Sequence, residues 1–389
     1  GSNPPGKRSS LQESRAAGDF CDLPQISYDF RAPIREFGQI SDSFREIKRF
    51  ALFLHDFGEE LCKMPAKFPS SNPLDPKNNR DLRTAVRDNG KNGYLFVNNY
   101  QRRQKMADHP QTKLRVTLPD ETIEFPITDI RDGDYFFFPF NLPIGNSILK
   151  SAAATPLCKI NDDTTVFYSD FPPQYQFDHE PLNHKIITLS KNQAMNAWKI
   201  RLPDGDHLLL SEDVVLQNRD RLEMIGRGIA KLSIYPDFPK PPHNAVRIGR
   251  EGDFTVYEVR HPGFDPNRNP AEAKFRIVRQ TPEQTDYEIT LNYPTDVENC
   301  YLSVGYQGDQ ARLIVDGKLS ADDFYAGTEW EIGLKQFNFP KKIILSITPL
   351  YAGTPVYLEQ WPIIEGEKIC RLNHISLNCE YRTFINRIR

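Results

Sequence analysis

From Leu95 onwards the apolar residues fall two apart in short runs broken by proline, glycine and aspartate. Leu95 and Val97, then Leu114, Val116 and Leu118, Ile123, Phe125 and Ile127, and Phe136, Phe138 and Phe140 each follow this spacing. A period of two sends alternate side chains to one face, the pattern of an antiparallel strand buried on one side. Pro119-Asp120 and Asp132-Gly133 supply turns between the runs. The chain has 31 prolines in 389 residues, about 8% against a usual ~5%, which favours short strands over long helices. Past residue 246 the alternation resumes at Ile289 and Leu291, Leu302 and Val304, Leu313 and Val315, and Ile343, Leu345 and Ile347. Within it, Val315-Asp316-Gly317-Lys318 is a two-residue hairpin signal, because Asp and Gly accept positive φ. The Phe136 to Phe138 run reads as a core strand, and the later half as an antiparallel β-sandwich or jelly roll.

One region departs from this pattern. Over residues 43 to 63, Phe44, Ile47, Ala51, Leu54 and Leu61 recur at helical spacing, and Phe50, Phe53 and Phe57 widen the stripe. Ser43 with Glu46 suggests a capping box, and Pro65 ends the helix. A second, short helix capped by Ser190 and Gln193 is expected to run through Trp198. Residues 1 to 22 read as a mobile loop, and the four prolines between Pro236 and Pro242 as a boundary. The division expected is 1–65, 66–240 and 241–389.

Charge and composition exclude several classes. Lys and Arg number 49 against 52 Asp and Glu, a net charge of −3, so no basic nucleic-acid face is implied. No apolar run reaches membrane-spanning length, and no signal-peptide h-region stands at the start. The six cysteines form no Cys-x-x-Cys, so neither a zinc ribbon nor a redox motif is expected; Cys370 and Cys379 are close enough to close a small loop, with isolated thiols as the alternative. His179 and His184 lie five apart with no helix pattern to align them, so no metal is expected. No dinucleotide glycine motif or nucleophile elbow occurs, and no cofactor is implied.

The segment Ser27-Tyr28-Asp29-Phe30-Arg31-Ala32-Pro33-Ile34-Arg35-Glu36-Phe37-Gly38 is an extended stretch just ahead of the helix. In a strand, Tyr28 and Phe30 share one face, as a sugar-stacking wall or as ordinary core. The segment resembles the eighth barrel strand of glycoside hydrolase family 35, the β-galactosidases, which carries Thr-Ser-Tyr-Asp-Tyr-Asp-Ala-Pro-(Ile or Leu)-x-Glu-x-Gly. Ser27, Tyr28, Asp29, Ala32, Pro33, Ile34, Glu36 and Gly38 match. Further runs similar to the family are Gly93 to Arg102, Phe138 to Leu142, Ala152 to Leu157, Leu313 to Gly317, Asp322 to Tyr325 and Trp330 to Leu334.

The resemblance implies the last β/α unit of a TIM barrel followed by accessory β domains. It implies a retaining β-galactosidase-like parent acting on terminal β-galactosides, with Tyr28 and Phe30 lining the sugar pocket. Phe30 stands for the family's Tyr and Arg31 for its Asp, which loosens any galactose specificity. The family's two catalytic glutamates lie upstream of the eighth strand, so this chain is expected to hold neither and to be inactive by itself. A barrel portion and β-galactoside glycans are the partners implied, and export to the periplasm or beyond is the family's habit. The adjacent acidic pairs Glu59-Glu60, Asp162-Asp163 and Asp322-Asp323 read as surface or turn features, because catalysis needs carboxyls about 5 Å apart across a bond. The rival reading is a non-catalytic carbohydrate-binding or scaffold module. Its sugar contact would come from Trp198, Trp330 or Trp361, with Trp330 favoured by the loop-like Gly327-Thr328-Glu329 ahead of it.

Overall fold

The computed structural model describes residues 13–16, 21, 23–29, 32–218, 220–265, 271–358 and 360–387. Strands account for 51% of it and helix for 8%, so sheets carry the core, and almost every strand pair is antiparallel. The exception among the described residues is Thr164–Ser169 with Lys185–Ser190, which run parallel.

The first large sheet has six strands and runs from Ala66–Lys67 through Arg83–Asp88, Gly93–Asn98, Tyr135–Ile144 and Ser147–Ala152 to Tyr175–Phe177. Its central strand Tyr135–Ile144 is buried over most of its length, as the phenylalanine run requires. Helix α1 spans Asp42–Cys62 and lies across this sheet. Phe53 sits 4.6 Å, ring to ring, from Phe137 and meets Tyr94 edge-on at 5.3 Å. Phe57 and Leu61 continue that contact one and two turns on. Burying each of these rings contributes roughly 1.5–3 kcal/mol. The cap differs from the expected one. The N-cap is Ser41, which makes no side-chain cap bond; its hydroxyl donates instead to the carbonyls of Ala32 and Pro33, tying the helix start to the preceding loop.

The second helix, α2 (Lys191–Met195), has the capping box that its sequence predicts, with Ser190 and Gln193 bonding reciprocally. It is shorter than expected, and Trp198 already belongs to the strand Ala197–Leu202. The proline segment at 236–242 does not separate two sheets. Ile229–Tyr235 before it pairs with Phe254–Arg260 after it, and Arg221–Gly226 pairs with the long final strand Arg371–Arg387.

Two five-stranded sheets, one of them including Val214–Asn218 and Arg221–Gly226, contribute to one apolar cluster. Ile289, Leu313 and Leu345 come from one sheet, and Leu302, Ile332 and Leu372 from the other. The hairpin at Val315-Asp316-Gly317-Lys318 forms as predicted, with φ of 50° at Asp316 and 76° at Gly317. The disulfide differs from the expected one: Cys379 is bonded to Cys300, not to Cys370. Cys300 and Cys379 face each other on adjacent strands, whereas the Cys370 thiol is half-buried and donates to the Ile347 carbonyl. Of the leader expected to be a mobile loop, residues 13–16 and 21 are described, and the rest lies outside the described residues. Glu13 and Ser14 are buried, and Ser14 donates to Asp309 at 2.6 Å.

Candidate functional site

The segment that the sequence singles out is not a strand where it is described. Ser27–Asp29 and residues 32–38 make only an isolated bridge, between Ile34 and Ile40. The reason is where its backbone donors go. The N–H groups of Gln25, Ile26 and Ser27 all donate to the carboxylate of Asp322, at 2.6, 2.9 and 2.8 Å. A neighbouring strand would need those same donors. Asp322 itself is no turn residue: it is buried within the strand Lys318–Phe324. Gln310 adds a fourth donor, and the Asp322 N–H returns a bond to the Ser27 hydroxyl. A buried carboxylate with this many donors is satisfied, and it fixes the loop from a position 295 residues away.

Around this anchor lie three more carboxylates. Asp29 accepts from Arg35 at 2.9 Å, and the same guanidinium reaches Glu331 at 3.5 Å. Glu36 accepts from the Ser27 hydroxyl. Burial pushes the Glu36 carboxyl up, and the charges of Asp29 and Asp322 add to this; Ser27 and Arg35 pull the other way. Phe37 then closes the segment by inserting into the C-terminal core, packed directly on Gly333, where a Cβ would lie 2.5 Å from that of Phe37. Each of these groups is engaged by the chain itself, so they act as anchors of the loop.

What the loop presents is Tyr28, which is 78% exposed. The other pocket residue expected, Phe30, lies outside the described residues, as does Arg31. Trp330 does not stand in a loop. It opens the strand Trp330–Gly333 and is only 5% exposed within the C-terminal core, because its partner strand Asn299–Gln307 draws it inward; it has no free face for a sugar. Trp198 is also buried, and the Lys48 ammonium lies 3.4 Å from its ring centroid. Burial pushes that lysine down to about 7, with the Arg45 charge adding to the effect. Trp361 is the tryptophan left open, at 44% exposure. Its neighbour Gln360 packs against Gly327, three residues past the strand that carries Asp322. The sequence favours Trp330, and the structure reverses that order, because strand pairing over long separations decides which ring is covered.

The remaining candidates disperse. Glu59 and Glu60 are exposed and pair with Lys63, and Asp323 turns away from Asp322 to accept from the Tyr306 hydroxyl. His184 bonds Thr165, while His179 lies against Asn146. Among the described residues, no three His, Cys, Asp or Glu side chains gather as a metal site, and no helix is long and apolar enough to cross a membrane.

Compared with known proteins, the chain matches no family model and no curated protein.

Proposed function

We propose that this chain is the non-catalytic part of a retaining β-galactosidase-like glycoside hydrolase, in which Tyr28 forms one wall of a pocket for a terminal β-galactoside and the β units buttress a barrel. The observation that carries this reading is the second apolar face of α1. Phe53 is 1% exposed against the first sheet, while Ile47 and Leu54, further round the helix, are 55% and 39% exposed. An unpaired apolar helix face next to a preorganised, aromatic-bearing loop suits a unit that packs against a further domain. The Cys300–Cys379 disulfide supports an exported location.

The test is reconstitution. The chain alone should not hydrolyse an aryl β-galactoside. Mixed with the barrel portion of a family 35 enzyme it should bind that portion and restore turnover. Tyr28→Ala should then lower kcat/KM about tenfold or more, the loss of one stacking contact in a transition-state site. Turnover by the chain alone, or barrel binding unaffected by Ile47→Ser and Leu54→Ser together, would overturn the reading.

A second reading, a carbohydrate-binding module, is favoured by the open indole of Trp361. It requires glycan binding that disappears in Trp361→Ala, and glycan binding that persists in that variant rejects it.

A further inference from the structure

Between α1 and the first sheet lies a cavity of about 610 Å³, within the range of roughly 300–1,000 Å³ typical of small-molecule sites. Its walls are mainly aromatic, with Phe50 and Phe53 from the helix and Phe96 and Phe137 from the sheet. Two cations interrupt this apolar lining. Arg49 is buried, stacks over the Tyr168 ring and pairs one nitrogen with Glu46, but its Nη1 has no hydrogen-bond partner. Arg83, on the strand Arg83–Asp88, donates Nη2 to the Asn78 carbonyl, and its Nη1 is likewise buried without a partner.

Glu46 is the acid lining this cavity, and its second oxygen already accepts from the Tyr135 hydroxyl at 2.6 Å. Two guanidinium charges against one carboxylate leave the cavity one positive charge in excess. Buried donors without acceptors are costly, and a guanidinium fork matches the two oxygens of a carboxylate. Both arginines line the cavity, and in each the Nη1 is a nitrogen that no protein acceptor holds.

We propose that this cavity binds a small amphipathic carboxylate, with its acid group on Arg83 and Arg49 and its apolar body between the phenylalanine rings. The site is separate from the Tyr28 loop, and it stands or falls independently of the glycosidase reading.

The experiment compares decanoate with decanol, which share a body and differ in the charged head, as competitors for a fluorescent apolar dye on the whole chain at neutral pH. Decanoate should bind about tenfold or more tightly than decanol, the usual margin of a charge-assisted pair. Arg83→Met should remove that margin while leaving decanol binding within about twofold, and Phe96→Ala should weaken both ligands. Circular dichroism reports whether each variant folds; if Arg83→Met does not, the wild-type ratio alone decides. Equal affinities for the two ligands, no displacement by either, or an unchanged margin in folded Arg83→Met would each overturn the proposal.

Discussion

The helix α1 and the C-terminal pair of sheets are comparably rich in apolar residues, yet they use them differently. In the C-terminal unit, strands from two sheets turn Ile289, Leu313, Leu345, Leu302 and Ile332 into one core, and these residues are all fully buried. In α1, the face carrying Phe53, Phe57 and Leu61 is covered by the first sheet, Phe50 turns into the space beside it, and Ile47 and Leu54 are left to solvent. A sheet has two faces, and alternation assigns each residue to one of them. A helix as apolar as this one has a stripe too wide for one partner to cover. Apolar content in the strands therefore reports internal stability, whereas in α1 it reports both internal packing and a surface open to a partner.

That contrast can be broken most sharply in the C-terminal core. Leu345→Ala should destabilise the chain by about 2–5 kcal/mol in urea unfolding, through lost burial and a residual cavity. Replacing Cys300 and Cys379 together by Ala should cost about 2–5 kcal/mol, because their bond closes a loop across a sequence separation of 79. A smaller effect of Leu345→Ala would show the two sheets to be less cooperative than their shared cluster implies, and a smaller effect of the cysteine pair would show that its sheet holds without the bond. Asp322→Asn should cost about 1–3 kcal/mol, since a neutral amide meets three backbone donors less well than a carboxylate. It should also speed hydrogen exchange at Gln25 to Ser27 while leaving the strand Lys342–Ile347 protected.

On the open face of α1 the expectation reverses. Ile47→Ser, at a position 55% exposed in the wild type, should change stability in urea unfolding by less than about 0.5 kcal/mol. A loss comparable to Leu345→Ala would mean that this face is internal after all.

The smallest effect expected is one of pH. Arg382, and after it Lys335, holds the Glu298 carboxyl below the ordinary glutamate range. Such a group contributes stability above its unfolded pKa and loses it as pH falls through the depressed folded value. Glu298→Gln should therefore be less stable than the wild type near neutrality, and the gap should close under acid. Glu380, on the neighbouring strand, has the opposite sign. Burial raises its carboxyl despite Arg227, so its contribution is present below the ordinary glutamate range and is lost as pH rises through the raised folded value. Unfolding midpoints of Glu298→Gln and Glu380→Gln across a pH series should diverge from wild type in opposite directions, and parallel curves would refute both assignments.

What the sequence determined by itself is whatever depends on neighbours along the chain. Alternation marked the strands, Asp316-Gly317 marked a hairpin because both residues tolerate positive φ, and Ser190 with Gln193 marked a helix start. These rest on sterics and hydrogen bonds within a few residues. Only the tertiary structure decided that Cys379 bonds Cys300 rather than the nearer Cys370, that Trp330 is covered while Trp361 is open, and that the described part of the Tyr28 segment is a loop tied to Asp322 instead of a strand. Each of those outcomes depends on which distant strand lies alongside. That choice is made by the register of long-range pairing and by which buried donors and acceptors must be satisfied together.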